Sequence, residues 1–278
     1  MKQHTLASEI SFNGHGLHTG KTVNMVVCPA AENSGIVFCR TDLSEGAPVE
    51  VSIENFRKAR RCTLLKKGKV RVRTPEHLLS ALAGMGIDNA LIKIDREELP
   101  ILDGSAKPYV EAIASAGIVE QEAQRRYIEV VKPFEFKGNK YGSLLRIEPA
   151  DSPSYEVTID FGSQVLGVQT AVFDQSVDYA AQIAPCRTFC FMKEIRMLRF
   201  LGLIKGGRLD NALVIDEPNG YYGNPELNFE NECARHKLLD LMGDFSLAGL
   251  PVRGRIYAYK PGHRFNASAL KAFLDQNK

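Results

Sequence analysis

The chain has 278 residues, of which 44% are hydrophobic and 24% are charged, a composition typical of a globular protein with its own core. The formal net charge of +2 gives no argument for nucleic acid or an anionic membrane surface as a partner. No apolar run approaches the roughly 20 residues that a transmembrane helix needs. The first residues are too polar for a signal peptide, and the six cysteines include no C-x-x-C pair. We therefore expect a cytoplasmic protein with reduced thiols that does not span a membrane.

Two segments share one order of predicted elements. Residues 16–38 (GLHTGKTVNMVVCPAAENSGIVF) and 137–159 (KGNKYGSLLRIEPADSPSYEVTI) each predict a turn, a strand, a second turn at Pro-Ala and a second strand. Alternating apolar residues such as Val23, Met25 and Val27 favour half-buried antiparallel strands.

A second pair of segments, HLLSALAG (77–84) and HKLLDLMG (236–243), aligns without a gap and predicts two helices. His77 falls on His236, whereas Asp240 has no acidic counterpart in the first segment. A duplication in which the repeated histidines have no chemical role would explain this repeat. Alternatively, two units that face each other would bring both imidazoles together at their interface.

A predicted strand and then another helix follow each of these two segments. This order favours an α+β fold of two similar domains, each a mostly antiparallel sheet with helices packed on one face. The polar stretch EQEAQRR (120–126) is the expected boundary. The predicted domains are residues 1–122 and residues 127–278.

The start of the first of these helices has strong local signals. Thr74 is a good N-cap, Pro75 suits the first helical position, and Glu76 and His77 fall in the first turn. In purely structural terms, Glu76 would only complement the helix dipole.

The combination of His77, His236 and Asp240 favours a metal site over an isolated ion pair. Two histidines and one carboxylate suit a catalytic zinc ion with an open fourth position. Glu76, next to one ligand, is then placed to take a proton from water. His263, in the predicted turn YKPGHRFN before the last helix, is either a surface residue or a candidate acid.

Other histidines and cysteines give weaker signals. His15 and His18 lie in the glycine-rich NGHGLHTG, which precedes a strand pattern and not a helix, so a dinucleotide loop is not indicated. Cys186 and Cys190 are four residues apart, and two cysteines alone more often fill core space than bind a metal.

Five segments together resemble the UDP-3-O-acyl-N-acetylglucosamine deacetylase family: TPEHLLSALAGMGIDNALIKID, LPILDGSAKPYV, CRTFCF, ENECARHKLLDLMGD and YKPGHRFN. The family contains the zinc enzymes of the committed step in bacterial lipid A synthesis. The likeness runs from GHGLHTG nearly to the C-terminus. It implies two α+β domains with the metal between them. It also implies hydrolysis of UDP-3-O-acyl-N-acetylglucosamine to UDP-3-O-acyl-glucosamine and acetate.

The resemblance implies roles for residues that match the family's motifs. The zinc ligands fall on His77, His236 and Asp240, and the general base falls on Glu76. The threonine of RTF, Thr188, would hydrogen-bond the tetrahedral oxyanion.

Three further residues follow from the same resemblance. Lys237 would contact the substrate. Asp244 would pair with His263 and keep its imidazole charged, so that it assists the departing amine.

The segment 191–207 corresponds to the family's insert, which forms an apolar passage for the acyl chain. Phe191 and Ile195, one helical turn apart, are expected in its wall, and Phe189 is expected against the sugar-nucleotide part. Cys190 stands where the family usually has another small residue, and we expect little effect from it.

Two rival interpretations are a non-haem iron oxygenase, since its metal is also held by two histidines and a carboxylate, and a non-catalytic sugar-nucleotide or lipid-binding module with a structural metal. The sequence leaves four points open: the acyl length, zinc or ferrous iron as the native metal, Glu76 or His263 as the donor of the amine's proton, and the oligomeric state. For the last, a monomer is expected.

Overall fold

The computed structural model describes residues 1–44, 47–138 and 142–277. Residues 139–141, within the second repeated segment, and residue 278, the end of the predicted second domain, lie outside the described residues.

The described residues form six helices: α1 (Glu76–Gly84), α2 (Lys107–Ala116), α3 (Tyr179–Gln182), α4 (Met192–Phe200), α5 (Glu232–Phe245) and α6 (His263–Gln276). A 3-10 turn, Ser246–Ala248, follows α5. The strands are β1 (Lys2–Leu6), β2 (Ile10–His15), β3 (Thr22–Pro29), β4 (Ile36–Arg40), β5 (Val49–Glu50), β6 (Phe56–Arg57), β7 (Leu64–Lys67), β8 (Val70–Arg73), β9 (Ala90–Ile94), β10 (Ile118–Gln124), β11 (Ile128–Glu129), β12 (Phe134–Lys137), β13 (Leu144–Pro149), β14 (Ser154–Asp160), β15 (Val168–Phe173), β16 (Phe189–Phe191), β17 (Leu213–Asp216), β18 (Gly220–Tyr221) and β19 (Val252–Tyr259).

Two sheets share one topology. The first has the strand order β2-β3-β9-β4-β5, and the second has the order β12-β13-β19-β14-β15 with β11 beside β19. In both sheets, the strand that follows the helix with the aligned histidine lies between an antiparallel and a parallel neighbour. These strands are β9 after α1 and β19 after α5. The α+β class with two similar, mostly antiparallel units is therefore confirmed.

The alternation in β3 has the predicted consequence. Val23, Met25 and Val27 are fully buried, whereas Thr22 and Asn24 on the opposite face are exposed, because successive side chains of a strand point to opposite faces. β3 and β4 are not neighbours, however. β9 lies between them, antiparallel to β3 and parallel to β4.

The helices of the two aligned segments, α1 and α5, pack against each other, and α5 also packs on β14 and β15. Gly243 permits this close approach, because a Cβ at that position would overlap the backbone of Glu76 on α1. The packing brings the start of α1 beside the middle of α5, which are the positions of the two aligned histidines.

The polar stretch 120–126 differs from the expected free boundary. Most of it belongs to β10, which pairs antiparallel with β1, and Lys2 and Glu122 form an ion pair of 3.1 Å across the two strands. A largely exposed strand tolerates charges because its partner strand supplies the main-chain hydrogen bonds. The division at residues 122 and 127 stays a prediction.

All six cysteines are free. In the described part of the chain, no helix is long and apolar enough to cross a membrane.

Candidate metal centre

Helix α1 starts differently from the prediction. Pro75 is the N-cap residue and the helix begins at Glu76. Thr74 has a φ of 56°, and its hydroxyl donates to Glu98 Oε1 at 3.3 Å. The predicted N-cap role of Thr74 is therefore wrong, because a buried carboxylate takes the hydroxyl that would have capped the helix.

The two aligned histidines meet beside one carboxylate. The ring centroids of His77 and His236 are 5.0 Å apart, with the rings nearly perpendicular. Asp240 Oδ1 lies 3.7 Å from His77 Nε2 and 3.5 Å from His236 Nε2. In a tetrahedral site with zinc–nitrogen bonds of 2.0–2.1 Å, neighbouring donors are about 3.4 Å apart. The separations fit such a site, and all three residues are buried.

The hydrogen bonds around this cluster leave donor atoms free. His236 Nδ1 lies 3.0 Å from the carbonyl of Cys186. Because a carbonyl only accepts, Nδ1 carries the hydrogen and Nε2 offers its lone pair. Asp240 Oδ2 accepts from Lys237 Nζ at 2.7 Å, whereas its buried Oδ1 has no hydrogen-bond partner among the described residues. A buried, unpartnered carboxylate oxygen between two imidazoles is the arrangement that a bound cation satisfies.

The protonation states of these residues suit a metal. Burial and the neighbouring His236 lower the pKa of His77 to about 3, and burial also lowers the pKa of His236. Burial alone would raise the pKa of Asp240, but Lys237 and the imidazoles outweigh it and hold that pKa well below its usual range. Both imidazoles are therefore neutral and the carboxylate is ionised, as metal ligands must be.

Glu76 lies in the same buried cluster. Its Oε2 accepts the backbone N–H of Thr63 at 3.1 Å, and its Oε1 lies 3.7 Å from His263 Nε2. Burial raises the pKa of Glu76 to about 8, against the opposing charge of His263 and with a further contribution from Asp240. A carboxylate whose pKa is near neutrality can both take up and return a proton.

His263 is the first residue of α6 and does not lie in a preceding turn, which corrects the predicted placement. Its Nδ1 lies 2.9 Å from Asp244 Oδ2. Burial lowers the pKa of this imidazole, but Asp244, Asp240 and Glu76 outweigh burial and raise it to about 10. A helix N-terminus disfavours a cation, so the positive charge depends on these carboxylates.

A cavity of about 870 Å³ opens beside the cluster. His77 and Asp240 of the metal cluster line it, and so do all the residues predicted to touch substrate: Thr188, Phe189, Phe191, Ile195, Lys237 and His263. The backbone of Thr188 is anchored on both sides, since its N–H donates to Gly104 and its carbonyl accepts from Leu213, both at 2.8 Å.

The segment 191–207 contributes α4 to one wall of the cavity. Phe191, Ile195 and Leu198 line it with apolar side chains. Glu194 on α4 forms an ion pair with Arg61, which comes from the first repeat unit.

Sequence reasoning missed three buried polar residues here. Thr63 and Asn266 hydrogen-bond to Asp244. His18 lines the cavity, and neither of its ring nitrogens has a partner among the described residues. Burial lowers the pKa of His18 and so favours its neutral form. No local pattern marks Thr63 or Asn266, because their partner lies far away in the sequence.

The family model described as UDP-3-O-acyl N-acetylglycosamine deacetylase (LpxC) matches residues 3–275. The chain is 39% identical over 283 residues to a UDP-3-O-acyl-N-acetylglucosamine deacetylase of Histophilus somni, covering 100% of this chain and 92% of the relative. It is 37% identical over 274 residues to the deacetylase of the same name from Brucella melitensis biotype 2, covering 98% and 95%.

A longer relative is similar as well. The bifunctional enzyme LpxC/FabZ of Porphyromonas gingivalis is 44% identical over 304 residues, an alignment that covers 100% of this chain and 66% of the relative. The chain therefore spans about two thirds of the length of that bifunctional protein.

Proposed function

Since this chain belongs to the UDP-3-O-acyl N-acetylglycosamine deacetylase family, LpxC, we propose that it hydrolyses UDP-3-O-acyl-N-acetylglucosamine. The products are UDP-3-O-acyl-glucosamine and acetate, and the reaction is the committed step of lipid A synthesis. That the chain is an enzyme of the deacetylase class follows from the family itself. The substrate, the metal and the residue roles below are the proposal.

One observation carries the proposal. Asp240 Oδ1 is buried between two imidazoles and has no hydrogen-bond partner within the described part of the chain, and Glu76 lies beside His77 at the edge of the same cavity. An open metal site next to a buried carboxylate is the arrangement of a metal-assisted hydrolase.

His77, His236 and Asp240 would hold the ion, for which zinc is the proposed identity. When bound, zinc supplies Lewis acidity, which polarises a carbonyl and makes water more acidic. Ferrous iron also accepts this donor set, so the metal must be determined by analysis of the purified protein.

Glu76 takes the proton from the attacking water. Its position is set by the Thr63 N–H on one oxygen, and the raised pKa suits proton uptake near neutral pH. The Thr188 hydroxyl donates a hydrogen bond to the oxyanion that forms when water adds to the acetamide carbonyl. In other enzymes, loss of one such donor lowers kcat by roughly 10²- to 10³-fold.

The amine must leave with an added proton. Protonated His263, held by Asp244, stabilises the negative charge that develops and can donate this proton to the amine nitrogen as the C–N bond breaks. Glu76 Oε1 lies 3.7 Å from His263 Nε2, so the proton that Glu76 took from water then restores the charged imidazole. Lys237 contacts the substrate from the cavity wall, where its Nζ lies 5.5 Å from the ring centroid of Phe189.

The cavity walls suggest how the rest of the substrate binds. Phe189 would contact the sugar-nucleotide part, while Phe191 and Ile195 would lie along the acyl chain between apolar neighbours. Burial of such a chain is favourable at roughly 0.8 kcal/mol per methylene.

The cellular setting belongs to the same proposal. We place the enzyme in the cytoplasm, as the six free cysteines favour a reducing compartment. We also retain two domains, residues 1–122 and 127–278, and a monomer.

The test is acetate release from UDP-3-O-acyl-N-acetylglucosamine by purified, metal-loaded protein, measured before and after treatment with a chelator. We expect release that stops on metal removal and returns with zinc. Metal-dependent turnover that needs oxygen and a 2-oxoacid would instead favour the iron oxygenase. Binding of the nucleotide sugar without any turnover would favour a binding module. Against the module, the metal cluster of the described residues has three ligands, whereas a structural zinc site has four.

A further inference from the structure

Thr63 joins two carboxylates that come from different repeat units. It is fully buried and lies directly before β7. Its backbone N–H donates to Glu76 Oε2 on α1 at 3.1 Å, and its hydroxyl donates to Asp244 Oδ1 on α5 at 2.5 Å. One residue therefore sets the position of the proposed base and of the carboxylate that holds His263.

The backbone of Thr63 is itself held in place. Its carbonyl accepts the N–H of Thr74 at 3.0 Å, and Thr74 in turn hydrogen-bonds to Glu98. The bond from its N–H to Glu76 therefore starts from a fixed main chain and not from a free loop.

The side-chain hydroxyl of Thr63 bonds to Asp244, whereas the backbone N–H bonds to Glu76. The second carboxylate oxygen, Oδ2, accepts from Asn266 Nδ2 at 2.8 Å and from His263 Nδ1 at 2.9 Å. Among the described residues, Oδ1 has the Thr63 hydroxyl as its only donor at short range, with His263 Nδ1 farther away at 3.2 Å. Without the hydroxyl, a buried carboxylate oxygen loses its best donor and the carboxylate gains freedom to rotate.

We propose that Thr63 is a positioning residue that fixes the separation between Glu76 and the Asp244–His263 pair. It does not line the cavity and so acts only through these two side chains. This inference rests on the proposed function, in which Glu76 and His263 act on one reacting amide. Catalytic groups must be held within about 0.5 Å of the productive geometry, and an error of about 1 Å can cost roughly 100-fold in rate.

The test compares Thr63→Val, Thr63→Ser and the control Thr5→Val in the metal-loaded enzyme. Valine keeps the shape of the side chain and removes the hydroxyl, whereas serine keeps the hydroxyl. Thr5 is also buried, and its hydroxyl donates to the carbonyl of Asn89 at 2.8 Å without contacting the site, so it matches the loss of one buried hydroxyl.

For Thr63→Val we expect kcat to fall by about 10- to 100-fold with KM within about threefold of wild type, because geometry at the reacting centre is lost while the cavity is kept. Metal content should stay at one per chain. Thr63→Ser should restore most of kcat, and Thr5→Val should leave kcat unchanged even if it melts earlier. An unchanged kcat in Thr63→Val, or equal losses in both valine variants, would overturn the proposal.

A double-mutant cycle tests whether the effect passes through Asp244. If it does, adding Thr63→Val to Asp244→Asn should cost much less than it does in wild type. Fully additive losses would overturn the inference. If Thr63→Val does not fold, Thr63→Cys replaces it, since its thiol is a weaker donor than the hydroxyl. We expect this variant to have a kcat below that of wild type, and a wild-type kcat in Thr63→Cys would contradict the inference.

A structural measurement separates this inference from the proposed function. Crystal structures of wild type and Thr63→Val should show the Asp244 carboxylate rotated and the distance from His263 to Glu76 changed in the variant, because the lost hydroxyl bonds Asp244 while the N–H to Glu76 is kept. This result does not depend on turnover. Unchanged carboxylates would refute the positioning role even in an active deacetylase, whereas a wild type that releases no acetate would refute the proposed function alone.

Discussion

Replacing Asp244 by asparagine should move the alkaline limit of activity to lower pH. Asp244 is buried and lies 2.9 Å from His263 Nδ1, and its charge is one of three that keep the imidazole protonated. The asparagine is close to isosteric and removes that charge. Because the proposed mechanism needs His263 protonated, activity is lost as the pH rises through its pKa.

The magnitude follows from the distances. At an effective dielectric constant of about 20, unit charges 2.9 Å apart interact by roughly 6 kcal/mol, and pairs near 3.75 Å by roughly 4.5 kcal/mol. Glu76 and Asp240 lie at 3.7 and 3.8 Å from His263 Nε2, so Asp244 supplies roughly two fifths of the favourable interaction. We expect its loss to lower the pKa by about 2 units, within the 1–3 units typical of one close charge.

The assay is a pH series of kcat/KM on folded, metal-loaded wild type and Asp244→Asn. The upper limb should lie above pH 6.5 in wild type and about 2 units lower in the variant. The lower limb should move less and also to lower pH, because the charge of Asp244 contributes to the raised pKa of Glu76. The metal content should change little. Asp95→Asn, which removes the same charge at a position outside the cavity wall, is the control.

The pH dependence of the free energy of unfolding provides an independent check, because it reports the same raised pKa of His263. The folded-state pKa of His263 is raised to about 10, above its unfolded value. The proton therefore stabilises the fold fully below about pH 6.5, and this contribution is lost as the pH rises towards 10. In Asp244→Asn this stabilising contribution should be lost completely at a lower pH than in wild type. If neither the upper limb nor the stability profile moves, the electrostatic coupling is absent and the pair is only a structural hydrogen bond.

Three further predictions concern the metal, the base and the helix contact. His236→Ala should reduce bound metal well below one per chain by elemental analysis, and full stoichiometry in the folded variant would remove His236 from the ligand set. Glu76→Ala should keep the metal but lower kcat by roughly 10²- to 10⁴-fold, the range of general-base catalysis, so near-normal turnover would assign the base elsewhere. Gly243→Ala should lower the free energy of unfolding by about 1–3 kcal/mol in urea denaturation, because the added methyl overlaps the backbone of Glu76; an unchanged midpoint would mean that α1 shifts without cost.

Local pattern in the sequence was sufficient for much of the fold. Burial with a period of two in β3 and the gapless alignment of the two helical segments are consequences of strand and helix geometry, so they are visible in short windows. The order of elements then predicted two similar units. The aligned histidines with Asp240 predicted a cluster that the structure brings together.

Where local rules failed, a distant partner had changed the outcome. Thr74 is a good N-cap by propensity, but Glu98 takes its hydroxyl. The stretch 120–126 has the composition of a linker, yet β1 at the start of the chain supplies a pairing strand. His263 begins a helix, in spite of the cost of a cation there, because carboxylates on α1 and α5 surround it.

The sequence by itself thus determined the two-unit architecture, the identity of the metal-ligand candidates and the neighbouring glutamate. Only the tertiary structure decided that Thr63 connects Glu76 with Asp244, which is 181 residues away in the chain. It also decided that one oxygen of Asp240 has no hydrogen-bond partner among the residues that the structure describes, and that the carboxylates raise the pKa of His263. Periodicity reports on residues a few positions apart, whereas hydrogen bonds and charges act over distances in space, and these exist only once α1 and α5 have packed together.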